Sequence, residues 1–251
     1  MAINLQKGQT IDLRKSDKGD NYDLSSLTIG LGWDVRKTGG FLGKLFGAKD
    51  EEYDLDAIAF LLDENGKVAN RGQEKVWSNS YKSGLFGGDV IFFNNVTFPS
   101  GTGTAKMVYP ANLSKAEIRD KVNALLRNGE TIVHTGDNLT GEGDGDDEQI
   151  IVKLDSLPLR IQKIVFLACI YQGQKKNQHF DMIENAFVRA VDAKGKEIAK
   201  FNLSGNASLN GMCSMIFAEA YRSEGTWKFR ALGEPLATDN FVEILRKYIN
   251  N

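Results

Sequence analysis

Apolar residues recur at every second position in short runs, and Gly, Asn and Asp separate the runs. That period is the signature of half-buried strands. Leu5, Ile11 and Leu13 predict a short strand entering the core, and residues 12–23 read as a charged loop. Leu27, Ile29 and Leu31 then alternate with Thr28, Gly30 and Gly32 and run into Trp33-Asp34, a strand ending on an exposed carboxylate. In the next run, from Asp54 to Leu62, Leu55 points opposite to Asp54 and Asp56, so both carboxylates share one face at the strand's beginning. Asp63 to Val68 reads as a hairpin turn. The same Asp-x-x-Gly-Lys form returns at Asp192 to Lys196, after the apolar strand Ala186–Val191, and hints at an internal duplication. Val90 to Asn95 is a strand ending in amides, and residues 97–111 read as irregular.

One helix is clearly signalled. Ser114 and Glu117 form a capping box, Ile118, Val122, Leu125 and Leu126 make an apolar face, and Gly129 stops it. Ile132 to Thr135 follows as a strand. Later strands are expected at Ile150–Leu154, Ile164–Tyr171 and Phe201–Leu203, and a hairpin at Met215–Arg222 with Trp227–Ala231. Phe241, Ile244, Leu245 and Tyr248 predict a short terminal helix. The expectation is a mainly β chain: one domain over residues 1–251, a two-sheet sandwich with a few short helices on the periphery and inserts at about 36–52 and 96–133. In the first insert, glycines punctuate Phe41, Leu42, Leu45 and Phe46, with Lys37, Lys44 and Lys49 around them. Large apolar side chains usually cap a core, which is the favoured reading. A docking loop for a partner or a membrane surface is the alternative.

Composition narrows the partners. A net charge of −2 over 251 residues supplies no field for nucleic acid. Two cysteines, Cys169 and Cys213, make no disulfide scaffold, and Cys169 falls inside an apolar run as a buried small hydrophobe. No signal peptide or membrane-spanning run is visible, so a cytoplasmic location is expected.

The chemistry concentrates in residues 136–148. Six carboxylates lie between Asp137 and Glu148 with no Lys or Arg among them, and glycines stand at 136, 141, 143 and 145. Like charges at about 4 Å repel by about 1 kcal/mol in water and about 4 near a protein surface. A hard cation reverses that cost. Ca²⁺ accepts carboxylate, amide, hydroxyl and carbonyl oxygens, all of which the stretch offers, and the absence of Cys and His from it argues against zinc or copper. The plain alternative is a solvated acidic loop. The spacing matches neither an EF-hand nor a nine-residue calcium repeat. Alternation places Asp144, Asp146 and Glu148 on one side and Asp147 on the other, if the following strand has already begun there.

Enzyme signatures are missing: no Gly-x-Ser-x-Gly, His-Glu-x-x-His or Walker A sequence occurs. His134 stands beside the acidic loop, whose carboxylates are expected to raise its pKa. A strand-end residue orienting the loop is favoured over a general base. A metal-dependent enzyme acting on phosphate esters is kept as the alternative, and tellurite capture by the two cysteines as a weaker third reading.

Gly30-Leu-Gly-Trp33-Asp34, Asp54-Leu-Asp56, Phe92-Phe-Asn94-Asn95, His134 to Glu148, Asn185-Ala-Phe187-Val-Arg189 and Gly225-Thr-Trp227-Lys-Phe-Arg-Ala231 follow one another in this order. Together these blocks resemble the TerD family of tellurite-resistance and general-stress proteins. The resemblance implies a TerD-like calcium-binding β-sandwich with two neighbouring Ca²⁺ ions and no enzymatic reaction. It implies a bacterial stress-response role in the cytoplasm or peripherally at the inner membrane, with other Ter or membrane-associated stress proteins as partners. A Ca²⁺-dependent contact of Phe41, Leu42, Leu45 and Phe46 with an anionic membrane stays the alternative to their capping the core. Matched to the family loop, the candidate ligands are Asp137, Asn138, Thr140, Glu142, Asp144, Asp146, Asp147 and Glu148, with Asp34, Asp54, Asp56 and Asn94 brought to it from other strands. The long span between Asn95 and His134 and the apolar insert depart from the family's simplest pattern and put the transfer of partners in doubt.

Overall fold

The computed structural model describes residues 10–12, 22–23, 25–34, 53–70, 72–75, 84–86, 88–99, 113–136, 145–204 and 207–249. In chain order the strands are β1 (Thr10–Asp12), β2 (Leu27–Asp34), β3 (Leu55–Leu62), β4 (Gln73–Lys75), β5 (Gly84–Phe86), β6 (Val90–Ile91) and β7 (Thr97–Phe98). The helix Lys115–Arg127 follows, then β8 (Ile132–His134), β9 (Glu148–Val152), β10 (Lys163–Ile170), β11 (Glu184–Asp192), β12 (Glu197–Asn202), β13 (Ser214–Ser223) and β14 (Thr226–Leu236). One sheet has the order β12-β11-β2-β9-β8-β7 and the other β1-β14-β13-β10-β3-β6. Every pairing is antiparallel. β4 and β5 form a separate ribbon.

The inner faces follow the two-residue period. Leu27, Ile29, Leu31 and Trp33 from one sheet meet Leu55, Ala57, Ala59 and Leu61 from the other. Each such large side chain taken out of water stabilises the fold by about 1.5–3 kcal/mol. The indole N–H groups are satisfied within this core: Trp33 Nε1 donates to Tyr53 O (2.9 Å) and Trp227 Nε1 to Leu154 O (3.1 Å). Strands β3 and β10 are apolar on both faces for a reason. Their outward residues Ile58, Phe60, Leu62, Val165, Leu167 and Cys169 form a second cluster with Ile244 and Leu245 of the terminal segment. The helix Lys115–Arg127 covers part of the opposite outer face through Val122, which packs with Val133 and Ile151. Its capping box is present, with Ser114 Oγ and Glu117 exchanging bonds with each other's backbone.

Two expectations change. Residues 97–98 are not irregular: Thr97 and Phe98 pair with Val133 and Ile132, so β7 and β8 close the base of the segment that carries the helix. The turns at Asp63 and Asp192 are built alike. Each Asp Oδ1 accepts the N–H groups two and four residues on, and Gly66 and Gly195 take positive φ angles of 69° and 78°. Only the second closes a hairpin, between β11 and β12. After the first, Val68 N–H donates instead to Tyr248 O and holds the terminal segment. The Leu5 and Leu13 positions and the apolar insert, with Phe41, Leu42, Leu45 and Phe46, lie outside the described residues.

Asp192 also accepts Asp23 N–H with its second oxygen (3.0 Å). Asp192→Ala therefore loses one bond more than Asp63→Ala, and the expected costs are about 3 and about 2 kcal/mol from the net worth of each bond. Urea unfolding of both variants measures the difference, and an equal or reversed order contradicts it.

Candidate metal centre

The ends of the acidic stretch are fastened to both sheets. β8 and β9 run side by side, and Thr135 and Gln149 continue the pairing: Thr135 N–H donates to Gln149 O (2.9 Å), and Gln149 N–H to Thr135 Oγ1 (2.8 Å). On the inner face of this pair stand His134 and Glu148, both fully buried. They reach across the core to one residue of the other sheet. Glu148 Oε2 accepts Ala57 N–H (2.8 Å), and His134 Nε2 lies 2.9 Å from Ala57 O. β6 is too short to pair with Ala57, since its pairing stops at Ala59 and Phe60. The two side chains thus supply the partners that a neighbouring strand would have given. Buried backbone groups demand such partners.

His134 Nδ1 accepts Gly136 N–H (2.9 Å), so the proton sits on Nε2 and points to Ala57 O. The expected rise in its pKa is therefore corrected. Burial dominates and pushes it down to about 4, although Glu148 Oε2 lies only 3.6 Å away. The ring is a neutral orienting group, and both of its nitrogens are engaged.

The loop's exit folds differently from the alternation expected. Strand β9 begins only at Glu148, after Gly145 takes a positive φ of 92°. Glu148 therefore turns inward and Asp146 outward. Asp146 lies over Gly30, where a Cβ would overlap its carboxylate. Its Oδ1 accepts Arg189 Nε–H (2.7 Å) and its Oδ2 accepts Gln149 Nε2–H (2.9 Å). Asp147 Oδ2 accepts Trp33 N–H (3.0 Å), and Asp147 N–H donates to Leu31 O (2.8 Å). Burial pushes the Asp147 carboxyl up to about 6, and the charges of Asp34 and Asp146 add to that, while the Trp33 N–H and Lys115 pull it down. Asp34 is exposed, and its Oδ2 accepts Asn185 Nδ2–H (2.6 Å) from the left-handed residue at an irregularity in β11. Lys115 Nζ, at the start of the helix, lies 3.5 Å from Asp146 O.

The structure thus brings Asp34, Asp146 and Asp147 to one edge, with Glu148 behind them. Asp56 is elsewhere: it pairs with Cys169 on β10, and alternation along β3 turns it to the outer face with Ile58 and Phe60. Asp54 is half-buried where β3 begins, its C=O accepting Tyr171 N–H (2.8 Å). Asn94 lies in the turn Phe92–Asn95, which leads into β7, and Val96 O accepts His134 N–H (2.7 Å). Asp137, Asn138, Thr140, Glu142 and Asp144 lie outside the described residues. Among the described residues no three His, Cys, Asp or Glu side chains converge as a metal-binding group. Those gathered at the edge offer oxygen, which suits a hard cation such as Ca²⁺. Asp34, which is exposed, and Asp147, which is half-buried, are the more accessible of these carboxylates, whereas the Asp146 side chain is nearly buried with a donor on each oxygen and Glu148 is fully buried. Arg189, Gln149, Asn185 and Lys115 were not anticipated. The Asn185-Ala-Phe187-Val-Arg189 block carried the only signal for two of them. Both cysteines are buried, and burial pushes the Cys169 thiol up to about 12, which leaves it poorly suited to capture tellurite.

A two-sheet antiparallel sandwich in which an acidic stretch joins the neighbouring strands β8 and β9 defines the structural class, and the comparisons supply the family. The TerD domain model matches residues 1–112 and 122–248. Tellurium resistance protein TerX of Serratia marcescens is 46% identical over 99% of this chain and 100% of its own length. Stress response protein SCP2 of Bacillus subtilis is 38% identical over 99% and 100%. A solved TerD homologue from Streptomyces coelicolor superposes with a TM-score of 0.52 at 19% identity, covering 88% of this chain and 95% of that one, and shares the fold. The chain belongs to the TerD family of tellurium-resistance and stress-response proteins. No described helix is long and apolar enough to cross a membrane.

A buried neutral His134 has a sign-definite consequence. Its folded pKa, about 4, lies below the unfolded 6.5, so its share of stability is complete above pH 6.5 and is lost as pH falls toward 4. The full loss is about 3 kcal/mol. In chelator-treated protein the folded-state imidazole, followed by NMR, stays neutral at pH 5. A ring that titrates at 6.5 or above contradicts the burial argument.

Proposed function

We propose that this chain is a calcium-dependent binding module of the stress response, without a catalytic reaction of its own. Ca²⁺ is held by oxygens of residues 137–144 together with Asp34 and Asp147. The bound ion neutralises carboxylates that otherwise repel, and it stiffens a rim on which another Ter-type protein or an anionic membrane surface docks. The observation that carries this reading is the Ala57 clasp: a six-carboxylate loop has both its ends built into the sandwich core, by His134 at Gly136 and by Glu148 at the exit. A merely solvated acidic turn has no need of such an anchorage. The engaged ring of His134 favours the binding module over the phosphoesterase, since a general base needs a nitrogen facing substrate.

Titration calorimetry on chelator-stripped protein tests the proposal. Saturable Ca²⁺ binding is expected, weakened about tenfold or more in Asp147→Asn, equivalent to about 1.4 kcal/mol. Folded wild type that takes up no Ca²⁺ overturns it.

A further inference from the structure

We infer that Asp146 is a positioning residue of the acidic loop, held by an Arg189–Gln149 clamp over the bare backbone of Gly30, and not a ligand of the cation. This rests partly on the calcium reading above, but its geometry stands independently. Arg189 and Gln149 stand on β11 and β9, on either side of β2, and both are directly opposite Gly30. The gap that the missing Cβ leaves between them receives the Asp146 carboxylate, and each carboxylate oxygen takes one of the two side-chain donors. The Asp146 side chain is 2% exposed, while Arg189 is 32% exposed and also lies 3.6 Å from Glu197. A largely buried, charge-assisted pair with this geometry fixes position strongly. The three residues come from β9, β11 and the loop, so the clamp ties the loop's exit to the outer face of the same sheet whose inner face carries His134 and Glu148. One acidic residue of the cluster is thereby paired with a cation of the protein itself, and each of its oxygens carries a side-chain donor.

The test separates anchor from ligand by sign. If Asp146 were a ligand, Arg189 would compete with the cation, and Arg189→Met would tighten Ca²⁺ binding. If Asp146 is the anchor, Arg189→Met loosens the loop and weakens binding by about tenfold, and Arg189→Lys recovers part of that loss. Gly30→Ala removes no charge and no ligand, yet it is expected to weaken binding similarly by displacing Asp146. Lys200→Met is the control: it removes a cation from the same face, where Lys200 lies 4.0 Å over the Phe187 ring, and leaves affinity within about twofold. A metal-free arm runs beside these. In chelator, the Asp147 and Gln149 amides exchange at least about tenfold faster in Arg189→Met and Gly30→Ala than in wild type. Tighter binding in Arg189→Met, or unchanged exchange in both variants, overturns the inference. If wild type binds no Ca²⁺, the proposed function fails and the exchange arm alone decides whether Asp146 is the anchor.

Discussion

The backbone N–H and C=O of Ala57 are the point on which the molecule turns. They sit on β3 just beyond the reach of β6, a donor and an acceptor in the buried interior. Leaving such groups unpaired costs about 1–3 kcal/mol each. His134 and Glu148 meet both, and because they stand on adjacent strands of the opposite sheet they also join the two layers. The same two residues delimit the acidic stretch. A local demand for backbone hydrogen bonding thus fixes where the two ends of the acidic stretch enter the fold.

Around that clasp the charges at the loop's exit are met by other groups of the protein. Arg189 neutralises Asp146, Asn185 bonds to Asp34, Trp33 N–H supports Asp147, and Lys115 approaches from the helix. What remains is a half-buried carboxyl at Asp147 whose pKa is pushed up to about 6, where a cation would recover the cost of desolvation and like-charge crowding. Affinity in such an edge depends as much on the residues that hold the loop as on those that touch the ion. Lys115, at the start of the helix, adds a basic residue to this edge.

Much of this was legible in the chain. The period-two runs at Leu27–Leu31 and Trp227–Ala231 and the capping box at Ser114 became strands and a helix as expected, because burial and capping are local in sequence. The runs of β3 and β10 were legible as strands, but not their second buried face, which depends on where residues 241–249 return. The site was only half legible. Counting carboxylates located the loop. The alternation of Asp144, Asp146 and Glu148 required the strand to have begun by Asp144, and it begins only at Glu148, so Asp146 and Glu148 face apart. His134 was assigned the wrong sign of pKa shift, because proximity to acids in sequence says nothing of burial in space. Arg189 and Gln149 were missed for a similar reason: their role exists only once Gly30 lies between them.

The central claim is that the backbone N–H and C=O of one residue, Ala57, clasped by Glu148 and His134, hold the loop's ends and the two sheets together. Amide hydrogen exchange of Ala57 and Gly136 in wild type and Glu148→Ala tests it most directly. Ala57 N–H donates to Glu148 and Gly136 N–H to His134, so both amides should be protected in wild type and lose protection together in the variant. Protection of Ala57 that survives the loss of Glu148, or a Gly136 amide that exchanges without regard to it, would contradict the account.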